Sequence, residues 1–516
     1  MPKEIVLDGE SLTVEHVVAV ARHSATVSIR QEALGRVAEA RKVVETAAAS
    51  DRAVYGINTG FGKLASVKIG SEQLHALQRN LILSHASGLG DPLPLDVVRA
   101  MMVIKANSLL MPASGARPLV AEALVAMLNN RIHPVVPEQG SVGASGDLAP
   151  LAHIALALMG EGEVEVAGSR LTTHDSPPAA RGSLADRVPA AEALAQAGIT
   201  PVVYEAKEGL SLINGTQAQT AMLSLAVHDA RVLWRTTHGA AAMTLEALKG
   251  TPDAFDARLH NARPHAGQVK SASLMRKLLE GSEIRESHRT GDPRVQDAYS
   301  VRCTPQIMGA VSDTIEYAAS VADVELNAAT DNPLVFDGDL VSGGNFHGQP
   351  VAMALDYLTI ALTSLAGMAE RRIERLVNPD LSQGLPAFLS PNPGLESGFM
   401  MVQIVAASLV GECRALSTPA SVQSVPTDAN QEDIVPMSMA AAFKTRRVYE
   451  NAVRIVACEL MCAAQGLEHH RPLRSAPAVE ELLATVRQHV EPLTHDRPLT
   501  ADIERLTTLV KGEALI

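Results

Sequence analysis

At 516 residues the chain exceeds what one ordinary hydrophobic core organises, and calls for two or three lobes or one elongated helical body. Its net charge of −13, with no dense run of Lys or Arg, excludes a nucleic-acid binder, and the acidic balance mainly favours solubility. An apolar fraction of 47% beside a charged fraction of 20% suits a chain that hides surface in an oligomer.

Four cysteines (Cys303, Cys413, Cys458, Cys462) are too few for a disulfide framework in a chain of this length. Cys458 and Cys462 stand one helical turn apart, upstream of His469 and His470, but no Cys-x-x-Cys or His-Glu-x-x-His spacing supports a metal site, so none is expected. The residues Met1-Pro2-Lys3-Glu4 open no apolar signal segment. Leu148 to Gly160 and Met400 to Gly411, the longest apolar runs, fall short of a membrane span. A reduced, cytoplasmic enzyme is the class these features lead us to expect, with no membrane contact.

In chain order, the first unusual stretch is Tyr55-Gly56-Ile57-Asn58-Thr59-Gly60-Phe61-Gly62, too rich in glycine for a helix, and so a special-backbone loop or plain glycine turn carrying one tyrosine. Next comes Gly140-Ser141-Val142-Gly143-Ala144-Ser145-Gly146-Asp147-Leu148. It lacks the Gly-Lys-Ser/Thr of a phosphate loop. It also misses the Gly-x-Ser-x-Gly elbow of a serine hydrolase, because Asp147 stands where the second glycine belongs. What remains is backbone chemistry: small neighbours let one peptide nitrogen approach a carbonyl two residues back. Alternating Val and Glu from Gly162 to Gly168 give the best strand signal, and 171–189, with Ser176-Pro177-Pro178, reads as a surface loop or insertion.

From Thr216 to Lys249, and again from Val351 to Leu376, Ala, Leu and Met recur at three- and four-residue spacing without proline, which predicts two long helices. Between them, 257–268 reads as loose chain, and Gln296, Tyr299 and Arg302 share one face if their segment is helical. The prolines of 385–394 predict a loop; Ser438 to Gln465 predicts a third long helix. Two amphipathic helices follow, Val479 to Val490 and Thr500 to Val510. An aromatic fraction of 3% argues against a large sheet protein, and no internal repeat of fixed period is present.

The unbroken run Gly-Ser-Val-Gly-Ala-Ser-Gly-Asp-Leu-Ala-Pro-Leu-Ala-His from Gly140 to His153 closely resembles the signature of the histidine/phenylalanine/tyrosine ammonia-lyase family. The resemblance extends from about Val54 to the C-terminal helices. It implies that the Gly146 nitrogen attacks the Ala144 carbonyl carbon, two waters leave, and Ser145 becomes an alkene. The product is the electrophile 4-methylidene-imidazol-5-one (MIO), with no external cofactor. An amine is a poor leaving group, so a covalent electrophile is what ammonia elimination needs.

By the same resemblance Tyr55 is the base. An ordinary tyrosine has a pKa of about 10, so its site is expected to favour phenolate through positive charge or donated hydrogen bonds. Asn214 would bond the MIO or the substrate, or cap the helix that follows. Arg302 would fork onto the substrate carboxylate, with Gln296 and Tyr299 beside it, while Phe346 would pack near the MIO. Glu432 would face the substrate amine or act as a second base. His85 and Met400 would line the substrate pocket, and Ser84-His85 is similar to the histidine-selective members, whose substrate imidazole needs polar partners.

One departure stands out: Ile434 occupies a position where histidine enzymes usually carry His, leaving room for another aromatic substrate. The motifs do not separate a lyase from an aminomutase. The fold implied is mainly α, an elongated helical bundle with a smaller N-terminal lobe. We divide it as 1–213 carrying the MIO loop, 214–470 as the long-helix bundle and 471–516 as a helical tail. A homotetramer is expected whose sites draw on several copies and take a small amino acid.

Overall fold

The computed structural model describes residues 2–166, 187–512 and 515 and is mainly helical. The five helices expected from periodicity are present: Gln217–Ala247, Gln349–Val377, Ser438–Glu468, Pro477–His489 and Thr500–Lys511. Two expectations change. Most of 257–268 is helical, as Ala257–Asn261 and the start of Ala266–Leu278, because Asp256 accepts from the Arg258 N–H and caps the first of them. Gln296 precedes the single turn Tyr299–Arg302, so only Tyr299 and Arg302 share a helical face. Of 171–189, residues 171–186 lie outside the described part, and Arg187–Pro189 forms a strand rather than a loop.

The chain divides into two compact units, each made of three segments: 1–228, 319–355 and 419–443 in the first, and 229–318, 356–418 and 444–516 in the second. The first unit holds the strands. Glu4–Leu7 pairs in parallel with Thr26–Ile29, and Glu163–Val166 sits between Ile132–Pro134 and Arg187–Pro189, antiparallel to both. Such three- and four-residue strands leave too little alternation to read from sequence. The core of this unit is the helix Leu95–Leu109, buried at nearly every position, including Arg99 and Lys105.

In the second unit two sets of buried polar groups are paired across helices. Arg372 donates from Nη2 to Glu459 Oε2 at 2.8 Å, and Thr244 Oγ1 donates to Glu459 Oε1 at 2.9 Å. His238 lies between the Trp234 carbonyl (2.8 Å) and the Ser271 hydroxyl (2.7 Å). All four cysteines are unpaired thiols; burial pushes Cys458 up to about 12. Gln349–Val377 is, among the described residues, the one helix long and apolar enough to cross a membrane, but 67% of its most apolar stretch is buried inside the protein. That burial is the mark of a core helix.

Candidate active site

The segment Gly140–Asp147 forms a tight loop before the helix Leu148–Leu158. Gly143 (φ +77°) and Gly146 (φ +72°) take left-handed backbone and bridge to each other, a conformation that costs other residues strain. Space is equally restrictive. A Cβ on Gly146 would lie 2.2–2.4 Å from the O, C and N of Gly215, and one on Gly143 would lie 2.0 Å from Ser438 Oγ.

Asp147 anchors this loop. Its Oδ2 accepts the N–H groups of Ala218 (3.0 Å) and Gln219 (2.9 Å) at the start of the helix Gln217–Ala247. Its Oδ1 accepts the Ser141 hydroxyl at 2.9 Å, and its own N–H donates to the Gly215 carbonyl at 2.8 Å. Complete burial pushes the carboxyl up to about 6 against these donors. The long helix is therefore capped by Asp147 and not by Asn214, the alternative the sequence left open. Asn214 instead ends the short helix Glu208–Ile213, and its Nδ2 donates to the Ser145 carbonyl at 2.7 Å.

Glu432 meets Ser145 from the other side, its Oε1 accepting the Ser145 hydroxyl. The turn that delivers it is strained: Asp428, Ala429 and Asn430 are consecutive left-handed residues at φ 45°, 50° and 69°. Thr427 closes it, donating from N to the Glu432 carbonyl (2.8 Å) and from Oγ1 to Glu432 Oε2 (2.5 Å).

Tyr55 begins the glycine loop expected from sequence, and its hydroxyl accepts the Gly62 N–H at 3.4 Å. Within the first unit its charged neighbours are carboxylates. Burial raises its pKa most, the Gly62 donor opposes, and the carboxylates of Asp428, Asp331 and Glu432 raise it further. His85 closes the helix Leu74–His85 with Nδ1 2.8 Å from the Leu81 carbonyl. A carbonyl only accepts, so Nδ1 carries the proton and Nε2 is the lone-pair nitrogen of the neutral ring. Burial lowers its pKa, against the pull of the Leu81 carbonyl and of Asp428 and Glu432.

Phe346 is half-buried in a turn whose Gly348 N–H donates to the Gly143 carbonyl at 3.0 Å. His347 Nε2 reaches the Ile434 carbonyl at 3.2 Å, and the Ile434 side chain is exposed. The fold therefore gathers Tyr55, His85, Ala144, Ser145, Gly146, Asn214, Phe346 and Glu432 in the first unit. Gln296, Tyr299, Arg302 and Met400 belong to the second. There the Arg302 guanidinium lies 4.6 Å from the Tyr299 ring centroid, and its Nε is a buried donor with no hydrogen-bond partner among the described residues. Met400 opens the helix Met400–Leu416.

Several residues beneath the loop went unread in the sequence. Lys105 Nζ donates to the Ser211 and Asn214 carbonyls (3.0 and 3.1 Å). Lys207 Nζ donates to Asp331 Oδ2 (2.5 Å) and the Ser114 carbonyl (2.7 Å). The signal for Lys105 was its place in the apolar run Met101-Met102-Val103-Ile104-Lys105-Ala106, where a lone charge needs a buried partner.

The aromatic amino acid lyase family model matches residues 12–488. A histidine ammonia-lyase of Symbiobacterium thermophilum is 52% identical, with 99% of this chain and 98% of that protein covered. Among solved structures, the histidine ammonia-lyase of Trypanosoma cruzi superposes with a TM-score of 0.89 at 40% identity, covering 99% of this chain and 94% of the other. A tyrosine aminomutase from Streptomyces globisporus superposes with a TM-score of 0.90 at 38% identity, covering 99% and 97%.

Proposed function

The chain belongs to the aromatic amino acid lyase family, and on that footing we propose that it eliminates ammonia from L-histidine to give trans-urocanate, using an MIO formed from Ala144, Ser145 and Gly146. The observation that carries this reading is the convergence of Asn214 and Glu432 on Ser145 inside a loop that admits only glycine on its flanks.

The residues present fit the group. Gly143 and Gly146 leave no room for a Cβ, so the backbone can fold back on itself. Ser438 Oγ is buried beside it without a partner among the described residues, available to a remodelled loop. In maturation the Gly146 nitrogen bonds to the Ala144 carbonyl carbon, and the Ala144 oxygen leaves as water with the Gly146 and Ser145 amide protons. Ser145 then loses its Cα proton and its hydroxyl as the second water. When formed, the MIO supplies an electrophilic carbon that holds the substrate amine covalently and makes it a better leaving group.

The chain's own residues supply the rest. Tyr55 takes the β proton of the substrate. Since its own unit raises its pKa, the cation that favours phenolate comes from outside that surrounding, and Arg302 of a neighbouring copy is our candidate. Arg302, with an unpaired buried Nε, also forks the carboxylate, beside Gln296 and Tyr299. His85 Nε2 accepts an imidazole N–H of the substrate, with Met400 and Phe346 as apolar walls, and Glu432 faces the amine. Assembly as a homotetramer is supported by exposed apolar side chains in the second unit, among them Tyr317, Tyr357, Ile360, Met401, Ile404 and Val405. Unpaired buried thiols accord with a cytoplasmic location.

The test incubates the protein with L-histidine, L-phenylalanine and L-tyrosine and follows the ultraviolet absorbance of urocanate, cinnamate and coumarate. Urocanate with free ammonia is the expected product. A β-amino acid would make it an aminomutase, and no turnover of any of the three would overturn the assignment.

A further inference from the structure

Lys105 is a buried cation for which the elimination chemistry has no use. It lies inside the helix Leu95–Leu109 with 1% of its surface exposed, and both its hydrogen-bond acceptors are peptide carbonyls, those of Ser211 and Asn214. Its neighbour Lys207, equally buried, is given the carboxylate of Asp331. Burial drives the Lys105 ammonium down to about 7, with Asp331 and Asp147 opposing the fall and Lys207 adding to it. An ammonium held on carbonyls alone is an expensive way to fill a core position.

What Lys105 grips is informative. The Asn214 peptide it holds through the carbonyl is the one whose side-chain amide donates to the Ser145 carbonyl at 2.7 Å, and the next residue, Gly215, bridges Gly146. The Ser145 carbonyl adjoins the carbon that must lose a proton when the hydroxyl leaves, so a fixed donor there stabilises the charge that develops. A donor on a swivelling peptide supplies less, since the benefit depends on its being aimed beforehand.

Resting on the proposed MIO, we propose that Lys105 is a positioning residue for maturation: it clamps the Asn214 peptide so that the Asn214 amide stays on the Ser145 carbonyl while the two waters leave. The bonds made and broken are those given above for Ala144, Ser145 and Gly146; Lys105 exchanges no atom with them. A purely structural Lys105 would merely satisfy the last carbonyls of the helix Glu208–Ile213.

Intact-mass spectrometry of the purified full-length chain separates the two roles. Wild type is expected two waters lighter than its translated sequence; if it is not, the MIO reading itself fails. Given that loss, Lys105→Met and Lys105→Gln chains that keep wild-type helicity by circular dichroism are expected to accumulate unprocessed or one-water masses. Their maturation after an expression pulse should slow about tenfold or more. Lys105→Arg, which keeps charge and donors, should mature further than either. In steady state kcat should fall in proportion to the unprocessed fraction with KM unchanged. Folded Lys105→Met or Lys105→Gln chains that lose both waters at the wild-type rate would overturn the proposal. If the Met variant fails to fold, the Gln variant, which keeps a polar side chain without the ammonium, decides by the same masses.

Discussion

In the second unit Arg372, a fully buried cation, meets the two oxygens of Glu459, and Thr244 completes the carboxylate. In the first unit Lys105, as deeply buried, meets only peptide oxygens, and nearby three left-handed residues in a row deliver Glu432. The first of these cations is set on a carboxylate; the second is held on carbonyls, beside a loop that carries backbone strain. Regular helices need only matched partners, whereas a loop proposed to rearrange its own covalent bonds needs groups fixed beforehand, and the surrounding fold has to sustain them.

The sharpest way to break this contrast is Gly146→Ala. Its Cβ would enter the Gly215 backbone, so maturation should stop, with about a thousandfold loss of urocanate production and no two-water mass loss. Retained activity would mean the loop is not so confined. Glu459→Gln leaves Arg372 buried beside a neutral partner and should cost about 3–5 kcal/mol, read as a lower denaturant midpoint, with the loop's mass loss intact.

Smaller is a pH effect in the second unit. Burial lowers His238 to about 4, so its folded pKa lies below the unfolded value of 6.5. Above pH 6.5 neither state is charged and nothing is lost. As pH falls from 6.5 towards 4 only the unfolded state takes up the proton, and stability should decline by about 1.4 kcal/mol per pH unit, to roughly 3 kcal/mol at pH 4. His238→Gln should lack that component of the pH dependence. Smallest is Ile434→His: the side chain is exposed and the contact to His347 runs through the Ile434 carbonyl, so KM for L-histidine should change less than about threefold.

The contrast also explains what was legible. The three long helices are written in periodic Ala, Leu and Met and the two C-terminal ones in amphipathic spacing, and the bounds of all five in the sequence fall within three residues of those observed. The loop was legible because an unbroken motif and its glycines leave few alternatives. The short strands were not, since three or four residues give no pattern. The roles of Asp147, Lys105 and Asp428 were hidden because each depends on partners far along the chain. The acidic neighbours of Tyr55 were hidden for the same reason: Asp331 and Asp428 lie hundreds of residues away in sequence, and a motif carries no information on who arrives beside it.

The distance between Ser145 and Glu432 along the chain is 287 residues. At the usual 5–20 residues per second of synthesis, the serine leaves the ribosome roughly a quarter of a minute to a minute before its acid partner exists. The Asn214 amide arrives far sooner, 69 residues on. On the proposed reading, a newborn chain carries its tripeptide without the Glu432 contact until most of it has been made. On that reading the missing mass of two waters would be a permanent record that the polypeptide once brought Asn214 and Glu432 onto Ser145.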